Sequence, residues 1–476
     1  MARILFFQRI WHEFGGPEAI SAYLKRHGHN VDLVIGRYAS DFLGRIKCND
    51  IIAFSVMTGE HEWALDILSQ IKKKTKVLGV FGGPHPTYFS EIINHPAVDV
   101  VCRGEGELAM QALADAWGKG TDYSSIPNLV VKLGKRISKN DVHGLVADMD
   151  SLPFPDRSIY YKYPLLRKNP MKTFMASRGC PFSCSFCFNE KLRSMYSGKG
   201  KYVRFRSPGN LVDEIKEVEH LYGLKSIYFM DDIFVLDKEW IKELTSLYKK
   251  EVGKPFVCSA SVNTLSEDII IMLKDANCHS VNFGIETGNE KLRKELFNKN
   301  ITNEQIKKTA SLLKKHKLRF LTFNIIGFPG ETVNDAMETV DLNIKIGADF
   351  PRCSFLTPYP GTRIAEKYKD KLKMKDIDGR HQQFVISFEV PDANALYNLH
   401  CFFQTAVMFP RLIGLIKKLI RLPRNMFFKF WWLAMYFIIL IRSEVRNPGQ
   451  TIITALKTAG PRLRARCPKY THYEDR

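Results

Sequence analysis

Twice along its length this chain alternates short apolar runs with amphipathic helical stretches, and that repetition narrows the folds open to it. In residues 1–140 the strand candidates are Ile4–Phe7, Val31–Ile35, Ile51–Val56, Val77–Phe81, Val98–Cys102 and Leu129–Lys132. Helical patterns such as Pro17–His27 and Glu62–Lys73 fall between them. Strands that are apolar throughout and separated by helices predict an α/β domain with a parallel, doubly wound (Rossmann-like) sheet. Such sheets bind ligands at the carboxyl ends of their strands. The connector Asp150-Ser-Leu-Pro-Phe-Pro-Asp156 has two prolines one residue apart. Proline opposes helix there, so residues 141–170 read as an extended linker.

The second series starts near Lys172, with strand candidates Thr173–Ser177, Ser226–Met230, Phe256–Val262, Ser280–Ile285, Arg319–Ile326 and Arg352–Leu356. Thr302 and Gln305 form a capping box ahead of an apolar-periodic stretch. Six strand–helix units predict a partial (β/α)6 barrel over residues 171–380, with its chemistry at the C-terminal strand ends.

Residues 381–476 change to a helical, basic pattern. From Arg411 to Arg476 there are 14 Lys/Arg and 3 Asp/Glu, a net +11 out of the whole chain's +20. Met426–Ile441 is apolar and aromatic, with Lys429 inside it and Arg424 and Arg442 at its flanks. Sixteen helical residues reach about 24 Å, short of the ~30 Å hydrocarbon core. Two readings stand: an interfacial anchor on an anionic leaflet, with Trp431, Trp432 and Tyr436 at headgroup depth, or a helix packed on the barrel. The aromatic neighbour favours a membrane over nucleic acid as partner of the basic tail.

Ten cysteines in 476 residues are too sparse for a disulfide scaffold. The N-terminal stretch reads as a strand and lacks the pattern of a signal peptide. A cytoplasmic location is expected, extending to the inner face of a membrane if the C-terminal anchor operates.

Cys180, Cys184 and Cys187 lie on the loop after the first barrel strand. Spacings of four and three let them converge from one loop on one inorganic centre, and thiolates are the soft, anionic donors of iron–sulfur clusters. A structural zinc site is normally closed by four protein ligands. Between His143 and His220 no fourth Cys or His occurs. Three ligands leave one iron of a [4Fe–4S] cubane open. The remaining cysteines stand singly, as small buried apolar residues do.

Cys180-x-x-x-Cys184-x-x-Cys187, with Phe186 before the last cysteine, resembles the radical S-adenosylmethionine (SAM) superfamily over about residues 170–375. The resemblance implies that the open iron chelates SAM, which on reduction gives a 5′-deoxyadenosyl radical. It also implies further SAM contacts: Asp231 and Asp232 after the second strand for the amino group, Glu286 after the fourth beside the ribose and carboxylate, and Gly327 after the fifth beside the adenine. On residue types alone, the aspartates equally suit a helix start and the glycines plain turns.

Residues 1–140 resemble the cobalamin-binding domain found in one branch of that superfamily. Ser55, Gly82 and Gly83 stand where the family borders the buried nucleotide tail of cobalamin, and Arg103-Gly104-Glu-Gly-Glu107 follows the fifth strand. His12 stands at the spacing of a lower cobalt ligand, three residues before Gly15. Ile10 replaces the aspartate that would orient its imidazole. The domain reads alternatively as a flavodoxin-like support without cofactor.

With both cofactors, the resemblance implies a transferase that methylates an unactivated carbon, or an oxidative ring closure of the anaerobic cyclase type. A small-molecule or lipid (isoprenoid) substrate and a flavodoxin or ferredoxin electron donor are the expected partners, with no nucleic acid. A cobalamin or iron–sulfur sensor is the non-enzymatic alternative; it would not need the SAM segments.

Overall fold

The computed structural model describes residues 1–48, 50–372 and 384–443. The C-terminal part of the basic tail, Cys467 included, lies outside the described residues.

The first sheet has seven strands: β1 (Arg3–Gln8), β2 (Asn30–Ile35), β3 (Ile51–Ser55), β4 (Leu78–Gly82), β5 (Val100–Cys102), β6 (Leu129–Leu133) and β7 (Arg136–Lys139), in the order β2-β1-β3-β4-β5-β6-β7. The first five are parallel, and β6 and β7 are antiparallel. The expected parallel, doubly wound core is present, with β6 and β7 added antiparallel at one edge. After the helix Glu107–Lys119, residues 120–128 bring Leu129–Leu133 back antiparallel to β5, and Gly134 at φ +61° turns the chain into the unforeseen β7. Apolar side chains fill both faces: Ile4, Phe6 and Val80 on one, Leu5, Phe54 and Phe81 on the other.

The segment expected to be an extended linker folds into short helices, Ser158–Tyr161 and Pro164–Arg167. It buries Arg157, Tyr160 and Tyr161 between the two sheets' domains. Tyr160 Oη donates to Gln8 Oε1 at 2.7 Å, and Tyr161 Oη to Glu13 Oε2 at 3.0 Å. The prolines stop helix only at their own positions; burial of the aromatic rings orders the residues after them.

β8 (Met171–Phe174) begins the second sheet, and the two-residue strands β9 (Ser177–Arg178) and β10 (Arg204–Phe205) pair beside it. The cysteine loop thus follows β9 and not the barrel strand directly. β11 (Ser226–Phe229), β12 (Phe256–Ser259), β13 (Cys278–Glu286), β14 (Arg319–Ile326) and β15 (Phe350–Phe355) complete a six-stranded parallel sheet in sequential order. That is the open barrel expected from six strand–helix units. The Thr302 box forms: Gln305 N–H donates to Thr302 Oγ1 at 3.1 Å and Thr302 N–H to Gln305 Oε1 at 2.8 Å.

Among the described residues three α-helices come after residue 384, Ala393–Met408, Ile413–Leu419 and Met426–Ser443. The first lies on β15 and carries Leu396 and Phe403 into the barrel core. Of Met426–Ser443, only Phe428, Trp432, Met435, Ile439 and Ser443 are buried. They recur every three or four residues, so one stripe of the helix packs inward.

Candidate active site between the two domains

The C-terminal ends of both sheets face one cavity of about 520 Å³. Ser55, Gly83 and Gly104 line it from the first domain; Ser177, Gly179 and Asp232 line it from the barrel.

Cys180 is buried, and Cys184 and Cys187 are half-buried. Burial pushes the thiols up, to about 12 for Cys180 and about 11 for Cys184, with Cys187 raised as well. Loading a metal centre here must therefore displace protons. Among the described residues no group of three His, Cys, Asp or Glu closes on a single ion. A tetrahedral zinc with 2.3 Å bonds would hold its sulfurs about 3.8 Å apart. A cubane spreads its thiolates over three irons and asks for a wider splay. Asn189 N–H and Nδ2 both approach Cys187 Sγ at 3.5 Å. Phe186 turns away from the cavity and packs edge-on to Phe297, centroids 5.4 Å apart.

The two aspartates after β11 have different tasks. Asp231 is buried: its carboxylate accepts from the N–H of Ala176 at 3.1 Å and from the N–H and Oγ of Ser177, both at 2.5 Å. Burial still lifts it to about 6. It fixes the strand end that launches the cysteine loop, and Asp232 presents the accessible carboxylate. The cavity walls raise Asp232 above the usual carboxylate range, against a hydrogen bond with Asn189.

Glu286 ends β13 with φ +68°, a conformation that is costly for a non-glycine. Lys299 Nζ donates to its Oε1 at 2.7 Å. Gly327 has φ +76°, a Cβ there would sit 2.8 Å from Phe355 Cδ1, and its N–H donates to buried Glu331.

In the first domain Gly83, at φ +93°, lies so close to β3 that a Cβ would stand 2.9 Å from Val56 N and 3.0 Å from Ser55 Oγ. Gly82 belongs to β4, just outside the lining. His12 is exposed, lies edge-on to Phe14 and does not line the cavity. His85 is buried and stacked on His61, centroids 3.8 Å apart, and burial lowers it to about 2.

These residues fit both expected groups. Three thiols sit on one loop, which begins just after the lining residue Gly179, and a wall of backbone at Gly15, Gly16, Gly83, Gly104 and Gly106 brings no side chain into the cavity. Residues 175–342 match the radical SAM superfamily and residues 7–114 the B12 binding domain. An uncharacterized methyltransferase of Pyrococcus horikoshii is 32% identical over 368 residues, 74% of this chain and 78% of the relative. The chain belongs to the radical SAM enzymes that carry a B12-binding domain. Its cofactors are a [4Fe–4S] cluster, SAM and cobalamin. The anaerobic magnesium-protoporphyrin IX monomethyl ester cyclase of Rubrivivax gelatinosus is 25% identical, over 82% of this chain and 74% of its own length. The solved structure of the cobalamin-dependent radical enzyme OxsB, with aqua-cobalamin and SAM bound, has the same fold: TM-score 0.67 at 16% identity, over 96% of this chain and 75% of that one.

Four site features of this radical SAM enzyme are not legible in its sequence. Arg178 Nη2 donates to Glu107 Oε1 at 2.5 Å, and Arg204 Nη1 to Glu105 Oε2 at 3.2 Å, which clamps the barrel to the first domain. Burial pushes Glu107 up, but Arg178 outweighs it and holds the carboxyl low. Tyr196 Oη accepts from Glu105 N–H at 2.8 Å and packs where a Cβ on Gly104 would collide. Tyr88 stacks on Phe188. Glu18, 3% exposed, lines the cavity with Oε1 unpartnered. Burial raises it to about 8, with Glu13, Glu214 and Asp156 adding to the rise and Arg157 opposing it. The only sequence signal for any of these is the acidic Glu105-Gly-Glu107 run.

Proposed function

We propose that this enzyme methylates an unactivated carbon of an apolar substrate, of lipid or isoprenoid type, held in the cavity between its two domains. When bound, the cluster and SAM supply a carbon-centred radical that removes hydrogen, and cobalamin supplies the methyl group. Cys180, Cys184 and Cys187 hold the cluster. Asp232 meets the SAM ammonium, Asp231 keeps the β8–β9 turn in place, and Gly327 leaves room for the adenine. Ser55 and Gly83 border the corrinoid. The Arg178–Glu107 and Arg204–Glu105 pairs keep the two cofactor sites facing each other, and Tyr88 on Phe188 closes the seam to water. A flavodoxin or ferredoxin would be the electron donor.

The observation that carries the reading is that one cavity is lined at once by Ser55 and Gly83 from the first domain and by Ser177, Gly179 and Asp232 from the barrel. The test is anaerobic purification with cobalamin supplied, analysis of iron, sulfide and cobalt, then reduction with SAM and assay of 5′-deoxyadenosine and labelled methyl transfer to an isoprenoid lipid extract. About four irons per chain, bound corrinoid and labelled lipid are expected. SAM cleavage without methyl transfer to any lipid would overturn the methylation reading. The likeness to the Rubrivivax cyclase favours a second reading, oxidative ring closure, in which SAM is consumed and no methyl group moves.

A further inference from the structure

Of the eighteen large apolar side chains exposed among the described residues, ten lie between Phe409 and Ile438. Phe427 is 70% exposed, Phe430 63% and Met426 61%. They stand on Met426–Ser443, opposite the stripe that packs on the barrel. Leu412, Leu415 and Leu422 extend the face along the neighbouring segment. Scattered exposed apolar residues need no explanation, but such a concentration marks a surface that water does not normally cover.

Charge says what covers it. Residues 409–443 hold seven Lys/Arg and no Asp/Glu. Arg411, Lys417, Lys418, Arg421, Arg424 and Arg442 are exposed, while Lys429 turns its Nζ over the rings of Phe384 and Tyr397, 5.5 and 5.8 Å from their centroids. Aromatic rings ringed by long cationic side chains match an acyl boundary below a layer of phosphates.

The packing also says how the contact is made. Met426–Ser443 is apolar enough to cross a bilayer by length and composition. It is nevertheless tied to the barrel along its length. Trp431 Nε1 donates to Thr405 Oγ1 at 2.8 Å, and Ser280 Oγ to Ser443 O at 3.0 Å. A helix with one stripe in a protein core cannot be surrounded by lipid. It lies in the interface with its outer face down.

We infer that the outer face of residues 409–443 is a peripheral docking surface for an anionic lipid bilayer. The helix starts beside Ala393, where Arg424 Nη2 donates to Ala393 O at 3.0 Å, and ends beside Ser280 at the start of β13. The docked wall therefore runs the height of the barrel beside β15. This inference rests on the surface and not on the proposed reaction, so either can fail alone.

The test is co-sedimentation of the full chain with vesicles of phosphatidylcholine alone or mixed with phosphatidylglycerol, at low and high salt. Binding to the phosphatidylglycerol vesicles at least 10-fold above the neutral ones, released by salt, is expected. Lys417→Glu with Lys418→Glu, and separately Phe427→Ser with Phe430→Ser, should each lower that binding about 10-fold. Their thermal unfolding should not change, since all four side chains are exposed. Failure to sediment with either vesicle would overturn the inference. So would binding that only detergent reverses, which would mean a spanning helix. A dimer in light scattering that Phe430→Ser dissociates would assign the face to a second copy and overturn it too.

Discussion

Tyr88 of the first domain lies flat against Phe188, the residue after Cys187, with ring centroids 4.4 Å apart and planes 11° from parallel. Its hydroxyl donates to Phe188 O at 3.3 Å. The cobalamin-binding domain thus rests on the cysteine loop itself, with Tyr88 also lining the cavity. Tyr88→Ala should speed loss of the cluster's visible absorbance in air several-fold, while Tyr88→Phe, which keeps the stack, should match the parent. Equal decay of all three would dismiss the shielding role.

The cysteines separate by position. Cys184→Ala should abolish SAM cleavage and lower bound iron, because a cubane with two protein ligands is poorly held. Cys258→Ala removes a buried thiol in the barrel core, far along the chain from the motif. It should leave iron content unchanged and cost about 1–2 kcal/mol of stability. Iron analysis and denaturant unfolding of the two variants check both halves.

The Arg178–Glu107 pair is a test of domain docking. Arg178→Met alone leaves Glu107 buried without its cation and should cost about 3–5 kcal/mol. Combining it with Glu107→Leu removes the stranded charge and should recover most of that loss. A double-mutant cycle by denaturant unfolding reads the coupling. If the two losses simply add, the pair contributes nothing to holding the domains together.

Gly83→Ala would put a Cβ 2.9 Å from Val56 N in a residue at φ +93°. Strain of about 1–3 kcal/mol and a drop in bound corrinoid per chain are expected. Iron content, set by the cysteine loop of the barrel, should not change. Cobalt and iron analyses on the same sample separate this local effect from general misfolding.

Periodicity makes the strands legible, because a fully buried parallel strand must be apolar along its whole length. β11, β13 and β14 therefore fall within a few residues of where the sequence places them. The antiparallel β6 reads as parallel because its run Leu129-Val-Val131 has the same pattern as its neighbours; direction is set by the connection, not by the side chains. The cysteine loop is legible because its ligands are local in sequence. The cross-domain groups are not, since Arg178 finds Glu107 and Tyr88 finds Phe188 only once two sheets distant in sequence have docked. Asp231 and Asp232 look alike in sequence, and only the turn at Ala176 and Ser177 tells the structural carboxylate from the accessible one.

Glu18 gives this fold a pH dependence that can be signed in advance. Burial raises its folded pKa to about 8 from an ordinary 4.5. Between those values the folded chain keeps a proton that the unfolded chain releases. The stabilising contribution is therefore complete below pH 4.5 and is lost as pH rises through about 8. The slope is at most about 1.4 kcal/mol per pH unit for one proton. Glu18→Gln keeps the shape, cannot ionise and should flatten this part of the curve, so that the variant overtakes the parent in stability as pH approaches 8. Urea unfolding at several pH values from 5 to 8.5 is the measurement. Parallel curves would mean that Glu18 is ionised in the fold and that Arg157, which faces it, outweighs its burial.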